Sequence, residues 1–368
     1  MPQNETFWNP YRLVPAKSVE NRCAPQTHER FVGHCGILSC TVENLTPLFV
    51  GPSSKGNPRR FLSREQRPVI PGSSLKGMFR SLAELVGGGC CSVQNTGGQH
   101  KSPVPPELGK CTDVRSLCIT CRMFGAMETS SRARVHMGKV CFGDATLLDE
   151  RGRTDSFQVY LSSCGVRHEP FYRSPHTGKL DGASRKLYFH QPMHRENIQP
   201  LPISVSARPW QVDALLPHHR FRFEVTYHNL TDAELSLLLY VIHLEEHVEV
   251  TIGEEHIQLR GPLRHKIGNA KPLGMGSCHV QIEWWERFLE PRLRFASLQS
   301  SQRHRLEGDD LHDEIIKRIC PYIEDKSPTM KHVRKMMVWD ETDKRVFNYP
   351  NYEWFQNRAN SGKPLKAI

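Results

Sequence analysis

Five of the twelve cysteines fall between Cys90 and Cys121. Cys118-Ile119-Thr120-Cys121 has the two-residue spacing that brings two thiolates onto one tetrahedral metal ion. Cys111 stands seven residues upstream. Cys90 or Cys91 supplies a fourth ligand, with His100 as a substitute, and we expect the set Cys91, Cys111, Cys118 and Cys121. The plainer reading is a group of buried free thiols. Four sulfurs in about 30 residues otherwise poor in core-forming side chains favour a structural staple, and zinc is the metal for it. A catalytic zinc would keep an open position, which four protein ligands deny.

A second chemical pattern is Gly72-Ser73-Ser74-Leu75-Lys76-Gly77-Met78-Phe79-Arg80. A glycine-serine turn that feeds a helix presents free N–H groups and the positive end of the helix dipole, which suits a phosphate. Lys76 and Arg80, four apart, share one helical face and add charge. The glycine spacing is not that of a Walker A loop. An ordinary capped helix with a solvated basic edge explains the pattern as well. Lys271-Pro272-Leu273-Gly274-Met275-Gly276-Ser277 is a third pattern, in which close glycines let the backbone approach a ligand or make a tight turn before a strand. A fourth is the basic and aromatic mixture over 150–205, including Arg167, His168, Tyr172 and Arg173, which can track phosphates and stack on bases or form a basic surface over a satellite core. The nineteen histidines are scattered, with no neighbouring nucleophile and acid to make a triad.

The elements that must position these groups follow from periodicity. Residues 35–43 alternate as a strand, and Leu75, Met78, Phe79, Leu82 and Leu85 fall at helical spacing, with Ser73 or Ser74 where an N-cap belongs. Gly87-Gly88-Gly89 ends that helix. Arg134 to Leu147 reads as a strand, and 150–205 as an insertion with hairpin character. Phe221 to Tyr227 alternates, and Thr231 with Glu234 forms a capping box for the next helix. Cys278 to Trp284 is a further strand. Strand, helix, strand, repeated, is a ferredoxin-like α+β pattern, the shape of RNA-recognition modules. Two helices are expected near 308–321 and 328–337.

Composition sets the class. The chain has 368 residues, 38% hydrophobic and 24% charged, so it can bury a core. Lys and Arg exceed Asp and Glu by ten, which favours a polyanionic partner. No apolar run reaches the roughly 18 residues of a membrane span, and residues 1–5 lack a signal-peptide pattern, so a cytoplasmic location without membrane contact is expected.

Together these pieces resemble the RAMP superfamily of CRISPR effector subunits, in particular the backbone proteins of type III and related systems. The resemblance rests on Ile70 to Arg80, Thr46 to Gly51, Leu117 to Gly125, Val140 to Ala145, Asn229 to Leu235 and Lys271 to Ser277, in that family's order, with Asn9-Pro10-Tyr11 like the opening of one type III subgroup. It implies an RRM-like core over 35–286 with a zinc knuckle at 88–125 and a β-hairpin thumb at 150–205; residues 1–34 read as a polar arm, and 287–368, which carry little of the resemblance, as a helical extension. It implies that copies of the chain stack along a guide crRNA, each holding a segment through the helix start (Ser73, Ser74, Lys76, Arg80) and the glycine loop (Lys271, Gly274, Met275, Gly276), with Arg167, His168, Tyr172 and Arg173 in the thumb. Other effector subunits and a target RNA would complete the particle.

Target-cutting members carry an aspartate between the first strand and the hallmark helix. Here that loop, Pro52 to Pro68, has Glu65 as its only acid and offers Lys55, Arg59, Arg60 and Arg64, which suit phosphate. Asp144 reads as structural. A subunit that does not cut is therefore expected, with a separate nuclease as partner, as in type VII systems. The competing readings are a RAMP ribonuclease using Glu65 or a histidine such as His168, and a zinc-stapled RNA-binding protein outside CRISPR.

Overall fold

The computed structural model describes residues 8–51, 58–91, 104–128, 133–159, 168–174, 178–192, 210–288 and 303–368. In chain order these form β1 (Tyr11–Pro15), β2 (His34–Asn44), β3 (Arg59–Arg60), β4 (Ser63–Arg64), β5 (Arg67–Ile70), α1 (Gly72–Val86), α2 (Ile119–Phe124), β6 (Ala126–Met127), β7 (Val135–His136), β8 (Val140–Phe142) and β9 (Ala145–Leu147). Then follow β10 (Thr154–Val159), β11 (Ser184–Tyr188), β12 (Trp210–Leu215), β13 (Arg220–Leu230), α3 (Asp232–His243), β14 (Val248–Ile252), β15 (Ile257–Gly261), β16 (His265–Lys266), β17 (Ser277–Phe288), β18 (Arg303–Leu306), α4 (Gly308–Ile323), α5 (Pro328–Met337) and α6 (Tyr352–Gln356).

Alternation along β13 decides the central layer. Phe221, Phe223, Val225 and Tyr227 are buried, while Arg220, Arg222 and Glu224 are exposed. The buried set faces the helices: Phe79 of α1 stacks on Phe223 with ring centroids 6.3 Å apart. β13 pairs antiparallel with β2, and β2 pairs antiparallel with β17. On its other side β13 pairs with β8 and β9, so the central order is β17-β2-β13-β8/β9. Taking β8 and β9 as one interrupted strand, this is the fourth-first-third-second order of a split βαβ fold. The protein is an α+β molecule built on an antiparallel sheet.

Two expectations change. The strand expected over 134–147 is three short pieces, β7, β8 and β9. Between the last two, Gly143 N still donates to Glu224 O at 2.9 Å, and the interruption lets α1 begin against the sheet. A Cβ at Gly72 would collide with the Phe142 carbonyl oxygen, so only glycine fits there. The expected serine cap of α1 is also absent. Pro71 holds the N-cap position without a side-chain bond, and both serines lie inside the first turn. By contrast, Thr231 and Glu234 form the capping box of α3 as expected.

β10 and β12 pair over six rungs, and β3 joins β12 in parallel. β1 pairs with β11. Val14 of β1, Leu311, Ile315 and Ile319 of α4, and Met330, Val333 and Met336 of α5 share one apolar core with the central strands. Among the described residues no helix is long and apolar enough to cross a membrane.

Candidate functional site

Cys90, Cys111, Cys118 and Cys121 are all buried, and their sulfurs lie within 4.8 Å of one another. Cys91, expected as a ligand, is not in the group; Cys90 takes its place. The reason lies in Gly89, whose missing Cβ lets the chain press against Thr120, so that the next residue turns toward Cys118 and Cys121. Cys90 N donates to Cys118 Sγ at 3.4 Å and Cys118 N to Cys111 Sγ at 3.3 Å. Hydrogen bonds from Cys111, Cys121 and Cys90 pull the Cys118 thiol below its usual range against burial. A tetrahedral zinc with about 2.3 Å bonds needs sulfurs about 3.8 Å apart. Four buried, mutually close sulfurs with N–H···S support fit a structural metal such as zinc. His100 lies outside the described residues.

Arg80 is part of this centre. Its Nε donates to Glu84 Oε1 at 2.9 Å, its Nη1 to Gly125 O at 3.2 Å, and its Nη2 approaches Cys121 Sγ at 3.8 Å. A second tie runs through Arg122 of α2, whose Nε donates to Glu234 Oε1 at 2.8 Å. Lys139, 1% exposed, meets the other Glu234 oxygen and donates to Asn229 O at 3.0 Å. Glu234 thus serves the metal lobe, the approach to β8 and the start of α3. Its carboxyl is held below the usual range against burial, chiefly by Lys139.

At the start of α1, Asp144 Oδ1 accepts from Gly72 N at 2.8 Å and its other oxygen pairs with Arg64. Ser74 N donates to Pro71 O at 2.9 Å. Two of the free N–H groups expected for a phosphate are therefore already used. What α1 offers outward is Ser73 and Gly77, both exposed, with Ser74 and Lys76 half-buried beside them. No atom stands within 4 Å of a Cβ built at Gly77, so a backbone can approach closely there. Burial lowers the pKa of Lys76.

Before α1, Glu65 and Gln66 have φ of 49° and 64°, the two-residue type I′ turn that joins β4 to β5. Glu65 stands exposed at the tip of this hairpin, while Arg60 and Arg67 are exposed on its flanks. Arg59 is stacked, with Cζ 4.0 Å from the centre of the Trp210 ring.

The glycine loop is a tight turn. Gly274 and Gly276 have φ of 89° and 78°, and a Cβ on Gly276 would strike the Ile267 carbonyl. Met275 is buried in the core. Lys266 Nζ donates to the carbonyls of Lys271 and Met275 at 3.1 and 3.3 Å, and burial pushes its pKa down to about 7. Burial also lowers Lys271. Gln191 donates to Pro272 O at 2.9 Å, and buried His190 bridges Ser277 Oγ and Arg264 O. Four strand spacings, roughly 19 Å, separate β5 from β17 across the sheet. The helix start and the glycine loop are therefore two patches on one sheet.

The described part of the insertion lies against the body. Tyr172 accepts from Tyr11 at 2.9 Å and from Lys186 at 3.0 Å. His168 meets Lys363 O at 3.1 Å and sits 5.4 Å from the Trp354 ring. Arg173 pairs with Glu169 at 2.7 Å. Arg167 lies outside the described residues. Sequence reasoning missed Glu234 and Lys139 as the tie to the metal lobe and Lys266 beneath the glycine loop; it read Asp144 as structural but not its bond to Gly72 N.

Residues 41–278 match the family model of the RAMP superfamily. Among curated proteins none matches this sequence.

Proposed function

Because this chain belongs to the RAMP superfamily, whose members have CRISPR-associated RNA-binding functions, we propose that it is a backbone subunit whose copies stack along a guide crRNA. Each copy holds a segment of guide phosphates and supports the duplex with target RNA, without cutting it. A zinc ion held by Cys90, Cys111, Cys118 and Cys121 fixes the lobe beside α1. Other effector subunits and a separate nuclease complete the particle in the cytoplasm.

The observation that carries this reading is the fate of Asp144. The carboxylate at the start of α1 is spent on Gly72 and Arg64, and Glu65 stands at a hairpin tip. Among the described residues around this start, the cations Arg60, Arg67 and Lys76 outnumber the one remaining acid, Glu65. Such a surface grips phosphates without regard to base, and pairing with the guide reads sequence.

The test is to express the chain with its guide-producing genes and measure the RNA that copurifies. Charge reversal by Arg60→Glu with Arg67→Glu should cut bound nucleotide at least tenfold, and wild-type binding should fall steeply with salt. Metal content, unchanged in the variant, controls for folding. Unaltered RNA content would refute the proposal. Glu65→Gln should leave any cutting by the particle as it was.

A further inference from the structure

Arg12 and Arg345 are 4% and 9% exposed, yet each keeps one N–H group without a hydrogen-bond partner, Arg12 Nη2 and Arg345 Nη1. Both guanidinium groups lie over the Trp8 and Phe189 rings, at 5.5 and 5.5 Å for Arg12 and 5.1 and 4.8 Å for Arg345. Asp343 answers Arg345 at 2.8 Å. Among the described residues Arg12 has only neutral acceptors: Lys366 O at 2.9 Å, Asn9 O at 3.0 Å and Tyr11 O at 2.7 Å. Burial and the Arg345 charge push its pKa down to about 10, still a cation at neutral pH. A buried charge without a counter-ion is strongly unfavourable, and among the described residues the pair is one anion short.

Arg12 lines a cavity of about 1350 Å³ between β1, the insertion and residues 361–368. Arg173, Lys363 and Lys366 also line it, Lys366 with its Nζ paired to Glu255 Oε1 at 2.6 Å. Three side-chain carboxylates share its walls. Glu169 is paired with Arg173, and Asp181 is bonded to the Ser184 hydroxyl and to two backbone N–H groups. Glu254 stands exposed on the turn between β14 and β15. The volume exceeds the roughly 300–1,000 Å³ of ordinary small-ligand pockets. Arg12 and residues 361–368 lie outside the segment that matches the family.

We propose that this cavity is a phosphate-binding site, anchored by Arg12 and ringed by Arg173, Lys363 and Lys366, for a phosphate borne by a nucleotide or a short single strand of nucleic acid. The planar guanidinium suits phosphate through paired N–H···O bonds. This site is separate from the guide contacts proposed for Arg60 and Arg67.

Titration of the full chain with inorganic phosphate, adenosine monophosphate and an RNA tetranucleotide, followed by calorimetry, tests it. Lys363→Glu with Arg173→Glu, both at the surface, should weaken binding at least tenfold. Arg12→Gln should do the same with its thermal melt checked, and Arg60→Glu with Arg67→Glu should leave this affinity unchanged. Binding of adenosine monophosphate as well as the tetranucleotide assigns the site to a nucleotide phosphate; binding of the tetranucleotide alone assigns it to a strand; binding of inorganic phosphate alone overturns the proposal. Equal binding by wild type and the Lys363/Arg173 variant, or binding of no probe by wild type, overturns the proposal.

Discussion

Arg80 reaches from α1 to the metal centre, with its Nη2 3.8 Å from Cys121 Sγ. It supports a sulfur cluster more directly than it offers charge to a phosphate. Neighbours that orient ligands typically tune metal affinity 10–100-fold. Arg80→Ala should therefore speed zinc loss to a chromophoric chelator by about tenfold or more, whereas Lys76→Ala should not. Equal release rates in the two variants would remove Arg80 from the centre.

Lys139→Met leaves the buried Glu234 carboxylate with Arg122 as its only ion-pair partner among the described residues. Breaking a buried pair from one side costs about 3–5 kcal/mol. Urea unfolding should show a loss of that order, and Lys139→Met with Glu234→Gln should recover part of it. A loss below about 1 kcal/mol would mean that water reaches the pair.

His265 is fully buried, donates to Val241 O at 2.7 Å, and has its pKa pushed by burial down to about 4. An unfolded histidine takes up its proton near 6.5. The native state therefore resists protonation, and its advantage is full above pH 6.5 and lost as pH falls toward 4. Across that window this residue alone removes about 3 kcal/mol, and buried His190 acts in the same direction. His265→Gln should be less stable at pH 7.5 but lose less on acidification. A pH-independent melting temperature would contradict the buried neutral ring.

Gln66 holds φ of 64° in the type I′ turn, where glycine carries no Cβ penalty. Gln66→Gly should stabilise the chain by roughly 0.5–1 kcal/mol in thermal melts, since turn relief outweighs the entropy of the looser unfolded chain. Destabilisation would show that the Gln66 side chain has work of its own.

What was legible in the sequence was local. The capping box of α3, the Cys118–Cys121 spacing and the alternation of β13 each act within a few residues. The choice of Cys90 over Cys91 depends on how the chain turns after α1 through Gly87-Gly88-Gly89, and periodicity does not report a turn's direction. Asp144 lies 72 residues from the Gly72 N–H it accepts from, and Lys139 lies 95 from Glu234. Such pairings are made by topology, and no nearby pattern announces them. His190 reads as one more basic residue of the insertion, yet the structure buries it against the glycine loop.

The bare α-carbon of Gly72 sets α1 against the broken strand with no slack between them. If copies stack as proposed, pulling or bending the filament along its length would load that junction. A helix seated so closely cannot swivel to absorb the load, so the force would pass into the rungs of β13 and β2. Stiffness at the scale of the particle would then trace to the hydrogen atom that stands where a methyl group would not fit.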